Sequence, residues 1–324
     1  ITGNKWSLGL GGEESNDPDA ETGFWNTITV AVMRRPWISL IAASIILLIL
    51  GSYYLELEKG TSGISVLPDE IPAKQGFQTL DEKFGFGSDA PALVVIEGDV
   101  GSDAFVTALT TLEQSIIDDN GLQAPQVRIE PSVNLASFTS NIPGDPQNQS
   151  ALNTIRRIRA DLIPDAFIGV PEGSYTAYVG GSSAEVVDSV KVTDDYLPIV
   201  FASVLSLSFI LLLFAFRSLV ISIASIVMNL LSVAAAYGLV VLVFQKGFLI
   251  DVFGFEQVDQ IEFWLPLFMF SILFGLSMDY HVFMLSRIKE RYDETGLAAE
   301  SVKFGLRRTA SIITGAALIM VAVF

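Results

Sequence analysis

One carboxylate, Asp279, stands in the middle of a long apolar run, LFGLSMDYHVFMLSR, that contains no other acid. An ionised carboxylate at the centre of a bilayer costs at least about 2.5–3.5 kcal/mol, so such residues usually face a bundle interior, a water path or a partner. An apolar surrounding favours the protonated form, whereas a nearby hydroxyl favours the ionised form. Asp279 is therefore a candidate for reversible proton transfer. The alternative is a permanently protonated acid that is only hydrogen-bonded within the bundle.

Hydroxyl and amide side chains near Asp279 could take part in the same relay. Tyr280 follows it directly, although neighbours on a helix lie about 100° apart and need not touch each other. We identify Asp279 and Tyr280 as the proton-relay pair, with Asn229, Ser271 and Thr314 as possible relay neighbours. An ordinary interhelical hydrogen bond is an equally good interpretation for Asn229.

The rest of the composition argues against most enzymatic chemistry. There is no cysteine, which excludes disulfides, iron–sulfur clusters and a thiolate nucleophile. His281 is the only histidine, so a multi-histidine metal site is not expected, and we interpret the ring as a packed, neutral imidazole. No nucleophile–base pair or phosphate-binding loop is found. We therefore expect no catalytic residue, no metal and no cofactor.

The positions of apolar and charged residues indicate membrane spans joined to an acidic, water-exposed part. The 324 residues are 51% hydrophobic and 17% charged, yet the net charge is −17. About 20 apolar residues are needed to cross a bilayer as a helix. The sequence predicts a cytoplasmic linker (1–35), a first span (36–55), an extracytoplasmic domain (56–195) and a bundle (196–324) with spans at about 197–216, 219–244, 264–286 and 309–324. We expect the chain to be an internal piece of a longer protein.

The distribution of lysine and arginine predicts the orientation of these spans. Basic residues precede the first span, lie in the turn between the second and third, and are frequent over 287–308, whereas the loop 245–263 is acidic. By the positive-inside rule, the first, third and fifth spans run outward. The segment 56–195 then lies outside; its 22 acidic and 8 basic residues disfavour a nucleic-acid partner.

The outer segment alternates short β-branched runs with helical periodicity, which predicts an α+β domain of the split βαβ, ferredoxin-like type. Strands are expected at 92–97, 126–130 and 175–179. Helices are expected at 102–119, 150–162 and 182–196, the last running into the second span. Ser102 and Ser182 are the predicted N-caps, the latter with Glu185 three residues on.

Several segments resemble the MMPL-type transporters of the resistance-nodulation-division superfamily. GLSMDYHVFMLSRIKERYDETG (275–296) is similar to the motif in the fourth helix of each half of these proteins. The stretches 63–85, 179–190 and FRSLV (216–220) resemble the start of their outer domain, the return into the membrane and a short cytoplasmic turn. The resemblance extends from about Phe24 to the end of the chain.

This resemblance implies a protein of two fused repeats, of which the chain is similar to the second, without its twelfth span. It implies a porter-like outer domain and export of lipids or other hydrophobic molecules across or out of the cytoplasmic membrane, driven by the proton gradient. Asp279 and Tyr280 would be one half's share of the relay. The N-terminal half or another copy of the chain, in a homo-oligomer, would supply the other share. The resemblance gives no role to His281.

Two other classes of function are open. A non-transporting membrane assembly factor or lipid-sensing protein of the same superfamily could keep the aspartate for structural reasons. A membrane-bound enzyme would require an acid pair that the pattern does not reveal. The segment 287–308 could form a helix along the cytoplasmic surface, where its basic residues would lie near anionic membrane lipids.

Overall fold

The computed structural model describes residues 24–84, 91–171 and 173–323. Within them, five helices are long and apolar enough to cross a membrane. These helices are Pro36–Glu56, Ser182–Phe216, Leu219–Gln245, Leu265–Thr295 and Ala298–Val323. Each contains one of the expected spans, except that the fourth helix begins at Leu265, one residue after the expected start. Phe324 lies outside the described residues, as do residues 1–23 of the expected linker.

Helices make up most of the described structure. The α-helices are α1 (Phe24–Arg34), α2 (Pro36–Ser52), α3 (Pro72–Phe84), α4 (Asp103–Asp118), α5 (Gln149–Arg157), α6 (Ile163–Ala166), α7 (Ser182–Phe216), α8 (Leu219–Val240), α9 (Ile250–Phe253), α10 (Leu265–Thr295) and α11 (Ala298–Val323). The strands are β1 (Lys59–Gly60), β2 (Ala92–Gly98), β3 (Gln126–Glu130), β4 (Leu135–Ser140), β5 (Tyr175–Gly180) and β6 (Ile261–Glu262). Wide π-helical turns follow α5 at Ile158–Leu162 and α8 at Val241–Gln245.

The chain divides into two compact units. The described parts of Ile1–Ser52, Ala202–Ala236 and Met269–Phe324 form what we call the helical unit. The described parts of Tyr53–Phe201 and Tyr237–Phe268 form the sheet unit. The loop between the third and fourth spans therefore belongs to the sheet unit, although it is remote from the rest of that unit in sequence.

The helical unit exposes more apolar side chains than the surface of a water-soluble protein usually carries. Trp37, Phe214 and Val321 are 75–80% exposed. Exposed apolar surface on this scale marks contact with a membrane or with other protein. Close packing of the helices relies on small residues: a Cβ built at Gly51 of α2 lies 3.3 Å from Cβ of Ala234 in α8.

The main sheet of the sheet unit has four antiparallel strands in the order β3-β4-β2-β5. Along the chain its elements follow the order strand, helix, strand, strand, helix, strand. One face carries inward residues such as Val94, Ile96 and Phe138, which are at most 2% exposed. Apolar residues of α4 and α5, including Leu112 and Ile155, belong to the same core.

Strands at 92–97, 126–130 and 175–179 are found where the sequence predicts them, but β4 was missed. Its sequence LASFTS has two large apolar residues, Leu135 and Phe138, of which Phe138 pairs with Val94 across the sheet. The other four positions are small or polar, so the segment resembles a loop. A tight turn with Asn134 in the left-handed region (φ 54°) joins β4 to β3.

Neither of the two predicted N-cap serines caps its helix with its side chain. Ser102 occupies the N-cap position of α4, but its hydroxyl donates to the Asp99 carbonyl at 3.1 Å instead of accepting from the helix. The Ser182 hydroxyl is buried and has no hydrogen-bond partner within the described parts of the chain. The helix begins there because Gly181, at φ 109°, turns the chain close to Pro91, whose carbonyl oxygen would lie 2.2 Å from an added Cβ.

The predicted surface helix over 287–308 was also wrong. Helix α10 continues from the fourth span to Thr295, Gly296 (φ 69°) turns the chain, and α11 starts the fifth span at Ala298. Gly305 of α11 lies so close to α10 that an added Cβ would sit 2.3 Å from Cγ1 of Ile288. The segment is therefore the connected ends of two spans.

A paired carboxylate links α4 to α5 in the sheet unit. Arg157 donates from Nε and Nη2 to the two oxygens of Asp119, each at 2.6 Å, and the Gly121 amide donates at 2.8 Å. Burial raises the pKa of Asp119, but the hydrogen bonds from Arg157 and Gly121 and the guanidinium charge outweigh it, so the pKa is lowered from its ordinary value of 3.8. The carboxylate form therefore stabilises the fold.

We expect Asp119→Asn to lower the free energy of unfolding by about 1–3 kcal/mol at pH 7, since hydrogen bonds to a charged group are lost. Because folding lowers this pKa, the contribution is fully present above about pH 4 and is lost as the pH falls through the folded-state value. Thermal unfolding at pH 7 and pH 3 measures the difference. Asp118→Asn, a neighbouring exposed acid, is the control; equal effects of the two variants at pH 7 would contradict the assignment.

A buried glutamine ties the loop before α10 to the rest of the sheet unit. Strand β6 pairs in parallel with β1, and Gln260 Nε2 donates to the Thr61 carbonyl at 2.6 Å. The same amide group donates to the Gln147 carbonyl and accepts from Gln149 at 2.9 Å. Gln260 is 5% exposed, and a Cβ at Gly60 would overlap it at 2.1 Å.

We expect Gln260→Ala to loosen this connection without unfolding the sheet. Loss of a buried hydrogen bond costs about 1 kcal/mol or more, so amide exchange over 59–62 and 258–263 should accelerate about tenfold. Hydrogen exchange with mass spectrometry measures this. Gln257→Ala is the control because Gln257 is exposed and, among the described residues, its side chain hydrogen-bonds only to the Gln245 carbonyl. Unchanged exchange in Gln260→Ala would contradict the role.

Candidate functional site

Helix α8 presents a buried polar face within the helical unit. Ser222, Ser225 and Asn229 are spaced by three and four residues, which places them on one side of a helix. Each is at most 2% exposed. A membrane helix with a polar face of this kind must find hydrogen-bond partners in the bundle.

Ser225 and Asn229 have their partners on α10, whereas the Ser222 hydroxyl donates to the Ser218 carbonyl at 2.9 Å. The Ser277 hydroxyl donates to Oδ1 of Asn229, and Nδ2 of Asn229 lies 3.8 Å from the Met278 sulfur. One turn along, Oγ of Ser225 is 3.3 Å from Nε2 of His281, and the tautomer of the ring decides which atom donates. These contacts fix which side of α10 faces α8.

Asp279 lies on the other side of α10. At 100° per residue it is about 160° around the helix from both Ser277 and His281. Its side chain is exposed and makes no hydrogen bond or ion pair with any residue in the ranges that the structure describes. A Cβ added at Gly275, one turn before it, would meet no atom within 4 Å. The described part of the chain therefore leaves the aspartate face of α10 uncovered.

The other predicted relay residues are not gathered around this carboxylate. Tyr280 is partly buried and has no hydrogen bond among the described residues. Ser271 lies eight residues, or about 12 Å of helix, before Asp279. The Thr314 hydroxyl donates to the Ala310 carbonyl of its own helix at 2.7 Å. Asn229 does join an interhelical hydrogen bond, but to Ser277 on the opposite side of α10.

Sequence reasoning missed most of the α8–α10 contact. Ser225 and Met278 were given no role, and His281 was left as a packed ring. The spacing of Ser222, Ser225 and Asn229 was the signal that could have revealed the polar face of α8. Which residues of α10 meet that face depends on the register of two helices, which neither helix encodes alone. In the described part of the chain, no group of three or more acidic or histidine side chains could hold a metal ion.

The family follows from comparison of this sequence with known proteins. The MMPL family profile matches residues 134–324, which include β4, β5, α7, α8, α10 and α11. The chain belongs to the MMPL family. With its five membrane-spanning helices, it is a multi-pass protein of the bacterial cytoplasmic membrane.

Individual relatives align over nearly the whole chain. A protein named mycolic acid-containing lipids exporter MmpL11, from Mycolicibacterium smegmatis, is 34% identical over 310 residues, covering 94% of this chain. Heme uptake protein MmpL11 of Mycobacterium tuberculosis is 33% identical over 94% of the chain. The apo-petrobactin exporter of Bacillus anthracis is 25% identical over 90%. The chain spans 32%, 31% and 38% of the lengths of these relatives, about a third.

We expect Asn229→Ala to weaken the α8–α10 contact. Interhelical hydrogen bonds in membranes contribute about 0.6 kcal/mol on average and at most about 1.7 kcal/mol. The partly buried hydroxyl of Ser277 would also lose its acceptor. Thermal unfolding of the purified protein in detergent measures the loss. Ser232→Ala is the control because that hydroxyl bonds to the Met228 carbonyl of its own helix. A larger loss in the control than in Asn229→Ala would refute the assignment.

Proposed function

We propose that the complete protein exports lipids or other hydrophobic molecules across or out of the cytoplasmic membrane, driven by the proton gradient. One observation carries the proposal: Asp279 is exposed within a membrane-spanning helix and has no partner among the described residues. A carboxylate facing lipid in this way would be very costly. Water or protein that lies beyond the described residues must therefore cover it.

A carboxyl that is shielded from lipid but has no fixed hydrogen-bond partner is suited to proton transfer. Ionised, it requires water or a polar partner; protonated, it can tolerate an apolar contact. The two protonation states therefore favour different packing of α10 against whatever covers it. One charge that crosses 100 mV releases about 2.3 kcal/mol, so a few protons can drive a cycle of such changes.

The cover is proposed to be the other repeat of a two-repeat protein, or another copy of this chain. The chain is about a third as long as its relatives, which leaves room for a second bundle. The resemblance to MMPL-type transporters implies a matching Asp-Tyr pair there. Tyr280, next to Asp279 on α10, is then placed to hydrogen-bond across that contact.

The sheet unit is proposed to be the extracytoplasmic, ferredoxin-like porter domain. Support comes from its βαββαβ order, with strands β2 and β4 at the centre of the sheet. Helix α7 starts directly after β5 and continues to Phe216, so a shift of this span would pull on the sheet through covalent structure alone. Such movement could open and close a route for an apolar substrate.

The class of substrate and the direction are inferred from relatives. One is named an exporter of mycolic acid-containing lipids and another an apo-petrobactin exporter, which favours export. A third is named for heme uptake, which is the opposite direction. Because a proton-coupled cycle can in principle run either way, the experiment must measure direction as well as dependence on Asp279.

The test uses the producing strain with its full-length gene. Lipids and small apolar molecules at the cell surface and in the medium are compared between wild type and a deletion strain, and the difference defines the cargo. We expect Asp279→Asn to reproduce the deletion at normal abundance in the membrane, because the amide cannot carry a proton. Asp293→Asn, an exposed acid further along α10, should export as wild type.

Three results would contradict the proposal. Wild-type export by Asp279→Asn would exclude the relay. Cargo that accumulates outside the deletion strain would indicate uptake. No difference between wild type and deletion would favour a non-transporting assembly factor or lipid sensor.

A further inference from the structure

A second feature of the helical unit is a cavity of about 400 Å³ between α10 and α11, at the ends that the positive-inside rule assigns to the cytoplasm. Arg287, Arg291 and Arg308 line it. The proposed proton relay does not use these residues. Their surroundings indicate a ligand that is partly apolar and partly anionic.

The cavity is layered along the membrane normal. Phe283 lines it one turn deeper than Arg287 on α10, and Ile312 lines it one turn deeper than Arg308 on α11. A turn of helix rises about 5.4 Å. The apolar side chains therefore lie toward the hydrocarbon, and the two arginines lie at the level expected for lipid headgroups.

Glutamates hold the guanidinium groups of Arg287 and Arg291 in place, but one of the nitrogen atoms has no hydrogen-bond partner among the described residues. Arg287 pairs with Glu290 at 2.8 Å, and its guanidinium lies 5.8 Å from the ring centre of Phe283. Arg291 pairs with Glu294 at 3.3 Å and Glu300 at 2.8 Å. Its Nε atom is nevertheless buried without a hydrogen-bond partner among the described residues.

Arg308 is the third arginine that lines the cavity. It is exposed and makes no ion pair with any residue within the described ranges. Glu290 and Glu294 line the cavity beside the three arginines, and Glu300 pairs with Arg291 from outside the lining. Arg308 is therefore the one guanidinium of the cavity that no carboxylate within the described residues pairs with. Arginine binds phosphate with two parallel hydrogen bonds, which a single unpaired guanidinium can offer.

We propose that this cavity binds one anionic phospholipid of the cytoplasmic leaflet. Its phosphate contacts Arg308 and Arg287, and its acyl chains lie along Ile312 and Phe283. Basic pockets between membrane helices on the cytoplasmic side are suited to anionic headgroups. Free phosphate would make the same ionic contacts but would leave the apolar part of the cavity empty.

The test counts lipids bound to the purified, delipidated full-length protein by native mass spectrometry during titration with phosphatidylglycerol. We expect the double variant Arg287→Gln/Arg308→Gln to bind one phosphatidylglycerol fewer, or to bind the tightest one at least tenfold more weakly. Arg308→Lys should keep the site. Arg307→Gln removes a neighbouring charge that does not line the cavity, and it should bind as wild type.

The same titration separates the possible sources of the ligand. Phosphatidylcholine should not compete for the tightest site, and inorganic phosphate at millimolar concentration should not displace the lipid. Equal binding by wild type and the double variant would overturn the proposal, as would displacement by phosphate or equal affinity for phosphatidylcholine. An equal loss in Arg307→Gln would also overturn it, because general surface charge would then explain the binding.

Discussion

The hydrogen bonds between α8 and α10 determine the orientation of the residues on which the proposed chemistry depends. Asn229 with Ser277, and Ser225 with His281, hold one side of α10 against α8. Once one side of a helix is held against a neighbour, the positions of all its other side chains around the axis are fixed as well. Asp279 must therefore lie on the other side. Had the aspartate been one of the residues that meet α8, it would be an ordinary structural acid. Its uncovered position follows from polar contacts in which it takes no part.

Close approach of the helices makes those short side chains effective. Serine and asparagine reach only a few ångströms, so hydrogen bonds between membrane helices require small residues at nearby contacts. Gly51 lets α2 approach Ala234 of α8, and Gly305 lets α11 approach Ile288 of α10. The two glycines thus bring α2 and α11 against the two helices that share the polar contacts. This arrangement also explains why α10 and α11 can be joined by a turn as short as the one at Gly296.

The sequence was sufficient for features that depend on local composition. Twenty apolar residues in a row leave few alternatives to a membrane helix, and β-branched runs such as ALVVIE rarely form anything but a strand. Asp279 was found for the same reason, because a charge in such a run is conspicuous. Strand β4 was missed because its neighbours β2 and β3, and not its own residues, make it a strand. The contact of Gln260 with Thr61 joins residues about 200 positions apart, and no local pattern contains that information.

The positions of charged residues along α10 indicate how deep Asp279 lies in the membrane. Arg287 and the following charged residues place the cytoplasmic headgroup level near that position. Asp279 lies eight residues deeper, which is about 12 Å along the helix axis. Half of a typical hydrocarbon core is about 15 Å, so the carboxyl lies close to the midplane, where an ion is most costly. Arg287, the cavity arginine nearest to Asp279 along α10, is therefore about two helical turns from the carboxyl. A lipid bound at Arg287 and Arg308 would therefore contact α10 without contacting the carboxyl that we propose as the proton carrier.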